Sequence, residues 1–244
     1  MAAKHVIFVS DTHLSPDAPE AQQNWAAVVR YVTAASPDLV IHLGDLSLDG
    51  ARNPADLDHA RGQLELLPVP WAAVPGNHDI GDNPLPSAGE GIAVTADRRQ
   101  RWLDVVGTDY WSLGIADWTL LAVNAQLAGS GLTAEASQWS WLEDQLTRAD
   151  PGQRIALLAH KPLTASEDEL AAAPPYRFCP QRRATVSGTC SRGGHRLCSS
   201  AGTYTSRACS TSTGPVMSGC PRRGRCYRTP RSRCSAPSAA ACCR

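Results

Sequence analysis

The stretch Val40-Ile41-His42-Leu43-Gly44-Asp45-Leu46-Ser47-Leu48-Asp49-Gly50 decides how the rest of the chain is read. Its first four residues form a short, mostly apolar run that suits a buried strand. The strand stops on Gly44-Asp45, and Asp49-Gly50 then turns the chain. A carboxylate at the carboxyl end of a buried strand is poorly placed for stability, because burial penalises its charged form. The same position suits a cation. Asp45 is therefore expected to bridge two metal ions, with other strand ends delivering the remaining ligands.

Three further strand ends carry matching chemistry. His5 to Ser10 reads as a buried strand that runs into Asp11-Thr12-His13. Trp71 to Val74 reads as a third strand, followed by Pro75-Gly76-Asn77-His78-Asp79. Arg154 to Ala159 reads as another, ending on His160-Lys161-Pro162. Between them, helices are predicted over 20–35, 54–67 and 134–148, with Trp25, Val28, Val29 and Val32 striping the first and Trp139, Leu142 and Leu146 the last. Residues 97–105 suit a short helix, 81–96 a surface loop, and 110–115 with 118–124 an antiparallel hairpin. This order predicts an α/β sandwich of two sheets with outer helices. Ligands of open α/β sheets bind beyond the carboxyl ends of the strands, where all four sets of residues lie.

Two neighbouring divalent ions call for carboxylate, amide and imidazole ligands with one ligand shared, and such sites clamp both the attacking and the leaving oxygen of a phosphoryl transfer. On this reading Asp11 and His13 take one ion, Asp45 bridges, and Asn77 and His160 take the other. His78 is expected to protonate the leaving oxygen, with Asp79 orienting its ring. Asp49 is read as structural, His5, His42 and His59 as structural or surface residues, and Lys161 as a solvated loop residue.

Asp11-x-His13, Gly44-Asp45-x-x-x-Asp49-Gly50, Gly76-Asn77-His78-Asp79 and His160 after a strand make residues 5–178 resemble the calcineurin-like metallophosphoesterases. The likeness is greatest to the bacterial branch similar to cyclic-nucleotide phosphodiesterases. The resemblance implies a four-layer α/β/β/α sandwich, two divalent ions from the Mn, Fe, Zn and Mg/Ca set, and a small phosphodiester substrate. It also implies a final Gly-His-x-His motif that completes both metal sites. No such motif follows His160; Gly194-His195 is followed by Arg196-Leu197.

The composition explains this gap. The 244 residues have no net charge, but all 23 acids lie at or before Glu169. Up to Tyr176 ten Lys and Arg face those 23 acids, a formal charge of −13; beyond it come 13 Arg and no acid. All nine cysteines fall from Cys179 onward, an odd number with no C-x2-C pair, which argues against a zinc module. From Cys179 there is no Asp, Glu, Lys, Ile, Trp or Phe, so this segment offers little apolar surface to a sandwich.

Such a composition is what a GC-rich gene gives when read in the wrong frame. Joining the third base of each codon to the first two of the next turns Ala201-Gly202-Thr203-Tyr204-Thr205 into codons that can spell Gly-His-Val-His. Leu197-Cys198-Ser199-Ser200 can likewise become an apolar strand. A one-base slip near the Phe178 and Cys179 codons is therefore expected.

The sequence thus predicts a metallophosphoesterase domain over 1–178, incomplete at its C-terminus, and an Arg/Ser/Cys-rich, out-of-frame, disordered tail over 179–244. With no signal-peptide core and no apolar run near 18 residues, a cytoplasmic protein without a membrane span is expected. The basic tail has few aromatics, which argues against specific nucleic-acid binding. The competing expectation is a catalytically inactive metal-binding or scaffold protein.

Overall fold

The structure, a computed structural model, describes residues 3–83 and 92–162, and the backbone of 196–201 and 208–209. It divides into two compact units, Met1–Ser212 and Thr213–Arg244, and the second lies wholly outside the described residues.

The first unit contains two sheets. One is parallel and three-stranded, in the order β1 (Val6–Val9), β2 (Leu39–His42), β3 (Trp71–Ala73). Helices α1 (Pro19–Ala35) and α2 (Pro54–Leu64) make the crossovers. Proline opens both, where its missing N–H costs nothing, and Asn53 caps α2 by accepting from the Ala55 N–H. The short helix α3 (Asn77–Ile80) follows β3, and α4 (Ala96–Val105) follows with Thr95 as its cap.

The second sheet begins with the hairpin β4 (Trp111–Ile115) and β5 (Trp118–Val123). A 3-10 turn over Ala125–Leu127 and helix α5 (Thr133–Arg148) lead to β6 (Arg154–Ala159), which pairs parallel with β5. Strands β7 (Arg196–Ala201) and β8 (Ala208–Cys209) extend the sheet in the order β4-β5-β6-β7-β8.

Three hydrophobic clusters define the layers. Val40 of β2 packs with Trp25, Val32, Leu57, Leu64 and Trp102 of the helices beside the first sheet. Leu39 and Ile41, on the opposite face of β2, meet Leu120, Ala122 and Leu158 between the sheets. Leu121, Val123, Ile155 and Leu157 then bury against Trp139 and Leu142 of α5. Helix, sheet, sheet and helix therefore stack in the expected four-layer order. Burial of each large apolar side chain contributes about 1.5–3 kcal/mol. Trp25 also ties α1 to α2, donating from Nε1 to the Gln63 carbonyl at 3.1 Å.

Two features depart from expectation. The tail is not wholly without order, because Arg196–Ala201 pairs in parallel register with β6 from Arg154↔Arg196 to Ala159↔Ala201. The free edge of β6 offers main-chain donors and acceptors, and a proline-free segment can satisfy them whatever its side chains. The second feature is Phe8. It shares a face of β1 with Val6, which packs between the sheets, yet it is 44% exposed. The proposed boundary at 178/179 and Gly194-His195 lie outside the described residues. No helix among the described residues is long and apolar enough to cross a membrane.

Candidate metal centre

The four loops that leave β1, β2, β3 and β6 meet at one end of the two sheets. Main-chain hydrogen bonds carry the β1–β2 alignment past the strands, from Asp11 N–H to the Gly44 carbonyl, His13 N–H to Asp45 and Leu14 N–H to Leu46, at 3.1, 3.1 and 2.8 Å. The backbone is strained here. Of five non-glycine residues with positive φ among the described residues, three are Asp11 (57°), His13 (47°) and Asp45 (53°). Left-handed backbone is unfavourable for residues with a Cβ and concentrates at functional sites.

Two sets of ligand atoms result, each with all members within 4.8 Å of one another: Asp11, Asp45 and His160, and His13, Asp45 and His78. Asp45 stands in both, as expected of a bridge. Asp11 and His13 fall in different sets rather than together. Both residues are left-handed, so the extended i, i+2 geometry that would bring them to one ion is absent. His78, expected only as an acid, lies among potential ligands, its ring 4.5 Å from that of His13 in an edge-to-face arrangement. Asn77 meets His160, Oδ1 to Nε2, at 3.3 Å.

The hydrogen bonds show why a cation suits this place. His160 is fully buried, and its Nδ1 donates to the Leu43 carbonyl at 2.9 Å. That leaves Nε2 facing two oxygens, Asn77 Oδ1 at 3.3 Å and Asp45 Oδ1 at 3.4 Å. A neutral imidazole nitrogen and two acceptor oxygens repel unless a proton or a metal ion lies among them. Burial opposes the charge on each partner. For Asp45 the His160 ring and His78 together outweigh burial and hold the carboxyl well below the usual carboxylate range. At His160, Asp45 together with Asp11 and the Leu43 carbonyl outweighs burial and raises the pKa. The buried Nδ1 of His13 has no protein partner. Carboxylate, amide and imidazole donors with this spacing fit divalent metals.

The surrounding residues hold these groups in place. Asp79 was expected to orient the His78 ring, and it does not. Its carboxylate accepts from Leu46 N–H (3.1 Å), Ser47 N–H (2.8 Å), Ser47 Oγ–H (2.7 Å) and Gly76 N–H (2.9 Å), joining the loop after β2 to the loop after β3. Burial, and then the Asp45 charge, push its pKa up against those hydrogen bonds. The Leu48 carbonyl orients His78 instead, 2.6 Å from Nδ1. The His78 N–H donates to Asp45 Oδ1 at 2.9 Å.

Thr12, between Asp11 and His13, gives its one hydroxyl proton to the Leu46 carbonyl at 3.1 Å. The neighbouring Nε2 of His42, at 2.9 Å, must therefore be its donor. Burial, and then His160, push the His42 pKa down to about 3, so its ring is neutral. Lys161 is not a solvated loop residue. It is 2% exposed and paired with Asp82.

No residue type or spacing announces this supporting role for Thr12, His42, Ser47 or Lys161. Gly44 and Gly76 carried one signal, since each sits where a strand ends against chemistry-bearing residues. A Cβ on Gly44 would lie 2.6 Å from His160 Nδ1.

Comparison with known proteins bears on the family and the fold. Residues 4–188 match the family model described as calcineurin-like phosphoesterase. A Moraxella catarrhalis protein named "Probable cyclic nucleotide phosphodiesterase" is 30% identical over 172 residues, 67% of this chain and 59% of that protein. An Arcobacter nitrofigilis protein named "Probable glycerophosphodiester phosphodiesterase" is 28% identical over 171 residues, 64% of this chain and 56% of its own. The chain thus spans under three fifths of the length of these curated relatives. Among solved structures, a dimetal phosphatase from Danio rerio superposes with a TM-score of 0.55 at 14% identity, covering 80% of each chain. A purple acid phosphatase from yellow lupin gives 0.50 at 17% identity, covering 73% of this chain and 35% of its own. Both show a shared fold.

Proposed function

Because the chain belongs to the calcineurin-like phosphoesterase family, we propose that its strand-end cluster is a two-metal centre for hydrolysing a small phosphodiester. The observation that carries this reading is the Asp45 carboxylate, the one group common to both sets of ligand atoms. Asp11, Asn77 and His160 would hold one divalent ion of the Mn, Fe or Zn kind, and His13 the other, with Asp45 between them. Names of relatives favour phosphodiesters, cyclic nucleotides among them.

When bound, the ions supply an activated water and neutralise charge on the phosphoryl oxygens. The protein's own groups do the rest. Asp45 and His160 form a buried pair, and a proton held between them would leave where a divalent ion took its place. The His78 ring, fixed through Nδ1 by Leu48, leaves Nε2 to exchange a proton with the departing oxygen. Asp79 acts on neither substrate nor His78; it keeps the Asp45 and Asn77 loops in register.

The test is metal titration by calorimetry, together with hydrolysis of a chromogenic phosphodiester, on the chain and on Asp45→Ala. Loss of a residue that only hydrogen-bonds a metal ligand costs about 10–100-fold in metal affinity, so loss of the bridge should cost more than about 100-fold, with hydrolysis falling in step. Equal hydrolysis by both proteins would defeat the assignment. Tight metal binding without hydrolysis would favour an inactive metal-binding or scaffold protein.

The tail forms part of the same proposal. We infer that the gene is read one base out from near the Phe178 and Cys179 codons, and that the segment beyond them is not the one this fold evolved with. The charge reversal and the shift in composition support this inference.

A further inference from the structure

We propose that Lys161 is a positioning residue, whose buried ammonium fastens the end of β6 to the segment after α3 and so holds His160 and Asn77 at ion-binding distance. Its effect on metal rests on the reading of those two residues as ligands; its effect on the His160 ring does not.

The argument starts from burial. Lys161 follows His160 directly and is 2% exposed, one of the largest side chains hidden in the protein. A lysine is hidden to this extent only when its charge is paired. Its Nζ is paired with Asp82 Oδ1 and donates to Asn83 Oδ1 at 2.9 Å. Asn83 has its own amide fully used, donating from Nδ2 to the Ala125 and Ala128 carbonyls at 2.7 and 2.8 Å. Asp82 is fixed through its main chain, donating to the Ile92 carbonyl at 2.6 Å and accepting from the Val94 N–H at 2.8 Å.

One ammonium thus gathers three segments. The first is the β6 end, which carries His160. The second is the exit of α3, which carries Asn77 and His78 five residues or fewer before Asp82–Asn83. The third is the turn after β5, reached through Asn83. The His160–Asn77 contact of 3.3 Å joins the first two on the side facing the metal centre. Lys161 with Asp82 and Asn83 joins the same two a second time. Two ties between the same segments fix a distance and an angle where one fixes only a distance. Lys161 touches neither Asp45 nor His160 through its ammonium, so its action is on placement.

Removing Lys161 alone leaves the Asp82 charge with no cation opposite it, only the Asn83 N–H at 2.7 Å, and could unfold the protein. The informative protein is therefore the double variant Lys161→Met/Asp82→Asn, which leaves no unpaired charge. Two readouts are taken on the full chain. The first is the 15N-edited resonance of the His160 Nδ1–H, which the bond to Leu43 makes visible without any metal. The second is Mn affinity by calorimetry.

If Lys161 positions His160, the double variant melts near the wild type, but the Nδ1–H signal broadens or vanishes and Mn affinity falls about 10–100-fold. A sharp, unshifted Nδ1–H signal in a folded double variant would overturn the proposal. A double variant that no longer folds would make Lys161 a residue of general stability and would likewise overturn it. Failure of the wild-type chain to bind Mn would count against the metal reading alone, since the resonance still reports on the clamp.

Discussion

Translation of the gene one base over, from the Phe178–Cys179 codons onward, is expected to yield a chain that binds two divalent ions and hydrolyses phosphodiesters at least about 100-fold faster than the 244-residue chain. The geometry of β7 gives this expectation its force. β7 pairs parallel with β6, and Ala201 stands opposite Ala159, the residue before His160. The carboxyl end of β7 is therefore level with a strand end that already carries a candidate ligand. Codons 201–205, at and just beyond that end, can spell Gly-His-Val-His in the neighbouring frame. Two imidazoles from there would supply the ligands that the first 178 residues do not. The same shift can turn the Leu197–Ser200 codons into an apolar strand suited to a half-buried sheet. The check is resequencing across the codons for Ala173 to Thr205, followed by metal titration and kinetics of both chains. Third bases that fail to spell the motif, or equal activity of the two chains, would dismiss it.

Gly76→Ala should be the most damaging alanine substitution among the described glycines. A Cβ at this position would stand 2.2 Å from Asp45 Oδ1 and 2.3 Å from the Asp45 main-chain nitrogen. Neither atom can yield, because the Asp45 loop is held by the His13–Asp45 main-chain bond and by the hydrogen bonds of Asp79. The φ of Gly76 is −104°, ordinary for alanine, so the cost is steric. Overpacking of this kind costs about 3 kcal/mol or more where the neighbours are fixed. Asp45 would also leave its place, so metal affinity should drop more than about 100-fold. Thermal melting and calorimetry would read both effects. Gly62→Ala provides the control. It lies within α2 with open space around its would-be Cβ, and should stabilise the protein by about 1 kcal/mol. A Gly76→Ala protein that melts and binds metal like the wild type would contradict the placement of the Asp45 loop.

Much of this architecture was legible in the residues, for physical reasons. Val6–Val9, Leu39–His42 and Arg154–Ala159 are short apolar runs closed by polar residues, and each forms a strand within a residue or two of its expected bounds. Trp25 and Val32 of α1, and Trp139 and Leu142 of α5, lie on the buried faces that their spacing implied. The clustering of Asp11, Asp45, Asn77 and His160 followed from their places at the ends of strands.

What escaped the sequence depends on partners far apart along the chain. Asp79 reads as a neighbour of His78, but three of its four donors come from Leu46 and Ser47, more than thirty residues away. Lys161 reads as a loop cation, but Asp82 and Asn83 lie nearly eighty residues before it. The division of Asp11 and His13 between two ligand sets turns on a left-handed backbone that no residue type announces. The order of Arg196–Ala201 escaped because it comes from the open edge of β6 and owes little to its own side chains.

The left-handed backbone at Asp11, His13 and Asp45 has a consequence for the history of such a chain. Each of the three withholds stability of order 1 kcal/mol that a glycine at the same place would return. Selection for thermal persistence alone would therefore erode these positions early, leaving a sturdier protein of the same shape with an empty cleft. Aspartate and histidine are thus the less stable choice at these three positions, and what they bring instead is ligand atoms.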